Sequence, residues 1–120
     1  MINMNGVDKM KIVKCHSGNI MMVLKEVENA DDKLLSANSV DAAFEKHVPQ
    51  FEIKGELVEV FVNHVMEEDH YIEWIMVEYG KEQILKHFLP GEEPKLEVRY
   101  EKGMKAYSYC NKHSLWMNEG

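Results

Sequence analysis

An antiparallel all-β domain, a sandwich or a barrel, is the fold this sequence predicts. Two observations carry it. Turn signals recur about ten residues apart, at "VEYGKEQ", "LPGEEP" and "YEKGMK", the spacing of short strands in an antiparallel sheet. Between the turns run stretches rich in β-branched and aromatic residues, several of them alternating apolar with polar at the period of a half-buried strand.

The elements can be justified in chain order. Residues 1–40 are less regular than the rest and predict a small, irregular N-terminal appendage to a main domain of residues 41–120. Within the appendage only "MMVLKEVENADDKLLSA" offers a helix of any length, and its apolar spacing is irregular. "VDAAFEK" predicts one short helical turn before His47. "ELVEVFVNHV" places Val58, Val60, Val62 and His64 on one strand face. "HYIEWIMVEY", "EQILKHFL" and "MKAYSYC" carry strand composition. "KLEVRYE" is the cleanest case: Leu96, Val98 and Tyr100 alternate with Lys95, Glu97, Arg99 and Glu101. No linker, internal repeat or low-complexity segment interrupts the chain.

Composition narrows the function. At 120 residues, 45% apolar and 29% charged, the chain can bury a real core and is neither disordered nor fibrous. Its longest apolar run, Ile20 to Leu24, is far too short for a membrane helix. "MINMNGVDKMK" lacks the apolar region of a secretory signal, so the expected location is the cytosol. A net charge of −7 argues against nucleic acids and anionic membranes, which need a basic surface. In that compartment Cys15 and Cys110 are better read as metal-binding or reactive thiols than as a disulfide.

The histidines hold the chemistry. A single histidine most often has no special role, and His16 and His87 are read that way, His87 on the surface. The other four are arranged differently. His64 and His70 bracket "VMEED"; if His64 ends one strand and His70 opens the next, both rings can turn to a common point. Cys110-x2-His113 ends another strand, and His47 lies in a loop that Pro49 biases toward extended backbone. Imidazole and thiolate together suit zinc, copper, iron or nickel. Two readings stay open at this point. One is a structural zinc, usually closed and four-coordinate. The other is a five-ligand iron with a vacant position, where chemistry can occur. Tyr71, Trp74, Tyr109 and Trp116 flank the ligands and are assigned to packing.

Three stretches taken together resemble one family. "EKHVP", "HVMEEDHYIEW" and "YCNKHSLW" are similar to the iron-site motifs of superoxide reductases, the neelaredoxin and desulfoferrodoxin family, in the same order along about three quarters of the chain. The resemblance implies a seven-stranded immunoglobulin-like sandwich and one mononuclear iron. It implies His47, His64, His70 and His113 as equatorial nitrogen ligands, His113 through its other ring nitrogen, and Cys110 as the axial thiolate. It implies Lys46 beside the open coordination position and Glu45 as a group that can occupy that position in the oxidised enzyme. The implied reaction is one-electron reduction of superoxide to hydrogen peroxide in oxidative-stress defence. The implied electron donor is rubredoxin or another small redox protein, and relatives form dimers and tetramers. The competing function classes are a non-catalytic module holding structural zinc or iron, and an iron-based redox sensor.

The N-terminal "VKCHSGNI" resembles the start of the small desulforedoxin-like domain of the same family, which holds a second iron through four cysteines. Here only Cys15 remains, with Ser17 near the second position, and one thiol cannot make a four-thiolate site. The chain thus resembles one-iron members with a degenerate N-terminal segment. Two further departures concern the main motifs: Val65 stands where the family usually has proline, and Ser114 where it usually has glycine. A glycine there suits a backbone conformation that costs serine more to adopt.

Overall fold

The structure is a computed structural model that describes residues 11–23 and 33–120. The chain forms two compact units, Met1–Ser36 and Ala37–Gly120.

In the first unit three short strands, β1 (Ile12–Lys14), β2 (Ile20–Met22) and β3 (Lys33–Leu34), make an antiparallel sheet with β1 in the middle. A tight turn joins β1 to β2: the Cys15 N–H donates to the Asn19 carbonyl, and the Gly18 N–H to the Cys15 carbonyl. The helix expected over residues 21–37 is corrected at both ends, because Met21 and Met22 lie in β2 and Lys33 and Leu34 in β3. The stretch between, residues 24–32, lies outside the described residues. Pairing with β1, whose Ile12 and Val13 are buried, outweighs a weak and irregular helix signal.

In the second unit a single 3-10 turn, Phe44–Lys46, stands where a short helical turn is predicted. Seven strands follow: β4 (Gln50–Lys54), β5 (Leu57–Phe61), β6 (Ile72–Tyr79), β7 (Glu82–His87), β8 (Lys95–Arg99), β9 (Lys105–Cys110) and β10 (Ser114–Glu119). They build two antiparallel sheets, β10-β9-β6-β7 and β4-β5-β8. The fold is therefore all-β, with no α-helix among the described residues, and the four-plus-three division is compatible with an immunoglobulin-like sandwich. β4 and β10 are strands that the turn signals do not mark. Two hairpins have glycine at the first turn position, Gly55 with φ 66° between β4 and β5 and Gly80 with φ 58° between β6 and β7. Left-handed backbone there matches the twist of the paired strands. No helix among the described residues is long and apolar enough to cross a membrane.

Both sheets supply the core. Val58, Val60 and Val98 come from one; Ile72, Ile75, Val77, Ala106 and Cys110 from the other; Val62, Phe88 and Met104 close the ends. Val58 and Val60 are buried on the face that alternation predicted, and Val62 continues it past the strand end. β6 is buried along nearly its whole length because strands flank it on both sides. Cys110, at the last position of β9, is fully buried in this cluster, so one end of the core is also the floor of the site described next.

Ile75 is fully buried at the centre of β6, whereas Ile53 on edge strand β4 is exposed. Ile75→Ala is expected to cost about 3 kcal/mol of stability through lost burial and a residual cavity, and Ile53→Ala less than about 0.5 kcal/mol. Denaturant unfolding of the two variants checks this; similar costs would mean that the core lies elsewhere.

Candidate metal centre

Three backbone segments converge at one end of the sandwich. The first is the 3-10 turn. The His47 N–H donates to the Phe44 carbonyl, and the Ser108 hydroxyl on β9 donates to the His47 carbonyl at 2.7 Å. The second is the loop from β5 to β6. β5 ends at Phe61 and β6 begins at Ile72, so His64 and His70 both lie in the loop and neither ends nor opens a strand, as the spacing had suggested. A bridge between Glu67 and His70 closes that loop into a tight turn. The third is the β9–β10 hairpin, whose turn runs from Cys110 to Ser114.

Asn111 joins the second segment to the third. Its side-chain oxygen accepts from the Tyr71 N–H at 3.0 Å, its amide nitrogen donates to the Asp69 carbonyl at 2.9 Å, and its own N–H donates to the Tyr71 carbonyl. Trp116 joins the third to the first. Its indole stacks on the His47 ring, with centroids 4.8 Å apart, and its N–H donates to the His113 carbonyl at 2.9 Å. Both residues position ligands that they do not replace. The sequence placed Trp116 in packing and gave Asn111 no role. An asparagine next to the thiol in a tight turn is the signal that could have found it.

The result is a cluster of His47, His64, His70, His113 and Cys110 whose ligand atoms all lie within 4.8 Å of one another. Each imidazole meets the next nearly edge to face around a closed ring. His47 lies against His64 at 4.8 Å between centroids, His64 against His70 at 4.6 Å, His70 against His113 at 5.1 Å and His113 against His47 at 4.7 Å. The Cys110 sulfur sits 3.5 Å from His64 Nε2 and 3.8 Å from His113 Nδ1.

Hydrogen bonds fix which nitrogens face inward. The Ala43 carbonyl can only accept, so His47 Nδ1 carries the proton toward it at 2.7 Å and leaves the Nε2 lone pair for the cluster. His64 does the same against the Val65 carbonyl. His113 presents Nδ1, 2.9 Å from His47 Nε2, which is the other ring nitrogen that the resemblance implied. His70 Nε2 is buried and has no hydrogen-bond partner. A buried ring nitrogen without a partner is costly unless, as a lone pair, it meets a cation, and iron fits this set of nitrogens and one sulfur.

Electrostatics favour the ligand forms of the imidazoles. Burial, then the neighbouring rings, hold the His47 and His64 pKa values below the ordinary value, against the pull of their backbone carbonyls. Both are therefore neutral near pH 7, as metal ligands must be. Burial pushes the Cys110 thiol up, and the backbone N–H groups of Lys112 and His113 pull it partly back. Those same donors stabilise a thiolate once a cation displaces its proton.

Glu45 and Lys46 sit on the 3-10 turn beside His47, and both are exposed. Among the described residues Lys46 has no carboxylate partner. His16 and His87 are exposed and stand outside the cluster. The Cys15 sulfur lies 2.9 Å from the Ser17 hydroxyl. Tyr109 and Trp74 stack at 5.7 Å between centroids, a packing role as expected.

Ser114 has φ 66°, the left-handed conformation for which glycine is the usual choice. Ser114→Gly is therefore expected to stabilise the metal-free protein by about 1 kcal/mol, read as a higher denaturant midpoint with an unchanged slope. An unchanged or lower midpoint would mean that the serine supplies an interaction that offsets its strain.

Comparison with known proteins agrees with the site. Residues 39–119 match the family model for desulfoferrodoxin. The desulfoferrodoxin of Syntrophotalea carbinolica is 36% identical over 124 residues, covering 94% of this chain and 98% of that one. The crystal structure of the superoxide reductase from Treponema pallidum superposes with a TM-score of 0.71 at 25% identity, over 92% of this chain and 98% of that chain. The one-iron superoxide reductase of Giardia intestinalis superposes with a TM-score of 0.53 at 30% identity, over 63% and 97%. With the family model spanning the whole sandwich, and a relative alignable almost end to end, this chain belongs to the desulfoferrodoxin family.

Proposed function

We propose that this protein is a superoxide reductase that converts superoxide to hydrogen peroxide. The observation that carries the reading is the closed ring of four imidazoles above a buried thiol, in a chain whose similar solved structures include superoxide reductases. His47, His64, His70 and His113 would hold one iron through nitrogen, and Cys110 through sulfur. Iron bound there supplies the single electron that superoxide takes up.

The chain's own residues prepare that chemistry. Four neutral imidazoles and one thiolate offset only one charge of a divalent ion, so the site stays positive toward an anion although the protein as a whole carries −7. Asn111 and Trp116 fix the rings before any ion arrives, which lowers the ordering cost of binding. Lys46, an exposed point charge next to His47, draws superoxide in and orders water for proton delivery. Glu45, exposed on the same turn, would offer that iron a further carboxylate. Residues 1–40 act as a degenerate desulforedoxin-like segment without its own iron, since Cys15 faces Ser17 where another thiol would be needed. The electron donor is a small redox protein such as rubredoxin, the setting is the cytosol, and the chain works as a homo-oligomer.

The decisive experiment pairs metal analysis with superoxide consumption. Anaerobically produced protein is expected to hold one iron per chain and to form peroxide from superoxide without evolving oxygen, as a reductase does and a dismutase does not. Cys110→Ser should abolish the thiolate-to-iron absorption band and most turnover, while Cys15→Ser preserves both. A colourless protein that retains zinc under those conditions, or equal losses in the two variants, would refute the reading.

Lys46→Ala removes a charge but no ligand. The second-order rate with superoxide is expected to fall severalfold, and its decline with rising salt to become shallower, because ions screen steering. Iron content should not change. Pulse radiolysis across a salt series checks this; a variant equal to the parent in rate and slope makes Lys46 a bystander.

A further inference from the structure

β6 breaks its register with β9 at the end nearest the metal centre. The pairs run regularly from Glu78 with Lys105 to Trp74 with Tyr109, and then jump to Ile72 with Cys110. Glu73 is the extra residue of this β-bulge. A bulge re-aims a side chain, and bulges are over-represented beside active sites. The other edge of β6 holds the backbone there. Trp74 pairs with His87, and the N–H of the next residue, Phe88, donates to the Glu73 carbonyl. A carboxylate is thus inserted between the partners of Tyr109 and Cys110, the last two residues of β9.

The Glu73 side chain is half-buried. Among the described residues no ion pair or side-chain hydrogen bond engages its carboxylate. Burial pushes its pKa up, and the charge of the nearby His87 ring pulls it partly back. Burial is also the main cause that raises the Tyr109 hydroxyl and the Cys110 thiol, and the Glu73 carboxylate adds to both. A partly buried charge without a partner costs stability. Beside a thiol that has to become a thiolate, a carboxylate adds a further cost. It turns favourable once a cation sits among the ligands, because four neutral imidazoles and one thiolate leave a divalent ion with one positive charge uncompensated.

We propose that Glu73 is a positioning residue of the metal centre, whose negative charge, aimed by the bulge, strengthens the hold of the cluster on a divalent ion and eases the loss of an electron from it. The proposal rests on the reading of the cluster as an iron site. Two steps there each add one positive charge. A divalent ion that displaces the Cys110 proton adds the first, and loss of one electron adds the second. A fixed negative charge at the same place favours both steps by a similar factor, on the order of tenfold for a half-buried site. It thereby lowers the reduction potential and makes the centre a stronger electron donor to superoxide.

The test reads both steps on the full chain. In a redox titration of the iron-loaded protein, followed at the thiolate-to-iron band, Glu73→Gln is expected to raise the midpoint by about 59 mV, the one-electron equivalent of tenfold. In chelator competition on the zinc-loaded chain, Glu73→Gln is expected to lose affinity about tenfold. Glu73→Asp keeps the charge and should stay within about threefold of the parent in both measurements. Glu82→Gln removes the same charge at the far end of β6, where Glu82 pairs with Tyr79, and should change neither. A Glu73→Gln variant equal to the parent in both measurements overturns the proposal, as does a Glu73→Asp variant that shifts as far as Glu73→Gln. A midpoint shift without loss of zinc affinity also overturns it, because it traces to ligand geometry rather than to charge. A parent chain that takes up no iron refutes the proposed function instead, and zinc affinity then decides the role of Glu73 by itself.

Discussion

Cys110 belongs to two structures at once, and the rest of the molecule depends on that overlap. Its side chain is a fully buried member of the core that the two sheets share. Its sulfur is also one of the five atoms of the metal centre. The thiol is therefore positioned by the packing of Ile72, Ala106 and Val62 as well as by the turn that follows it. Burial raises its pKa, and the Lys112 and His113 backbone donors answer that from the other side. A sulfur in this setting is poor at being an ion alone and well prepared to be one beside a cation.

The other ligands are brought to it by polar contacts rather than by apolar packing. His64 and His70 lie on a loop, and Asn111 ties that loop to the hairpin that carries Cys110 and His113. Trp116 ties the hairpin to His47. Every ligand segment is thus referred to the β9–β10 turn. That turn also contains the one described residue of the second unit near the site with left-handed backbone and a side chain, Ser114. The local strain sits where the geometry is most strictly set, as is common at functional sites.

Much of this was legible in the sequence, for identifiable reasons. Alternation gave β5 and β8, because each has one face in the core and one in water. β6 was recognised by composition alone, since burial on both faces erases alternation. β4 and β10 were not legible: QFEIK has its apolar Ile53 exposed, and SLWMNE packs aromatic and polar groups by tertiary context. The short strands of the first unit pair over so few residues that no period can show. Within the site, ligand identity followed from motif and order. The inward nitrogens followed only from carbonyls, at Ala43 and Val65, that no sequence pattern marks.

The order of the ligands along the chain has a consequence for how the protein is made. His47, His64 and His70 leave the ribosome well before Cys110 and His113, since Cys110 lies forty residues after His70. A nascent chain therefore exposes an incomplete, all-nitrogen half-site that borderline divalent ions of several kinds can satisfy. The sulfur that distinguishes among them arrives last, and its strand β9 needs β10 to complete the hairpin. Metal choice is thereby deferred until the β9–β10 hairpin has closed, when the ion that the site keeps is decided with the sulfur in place.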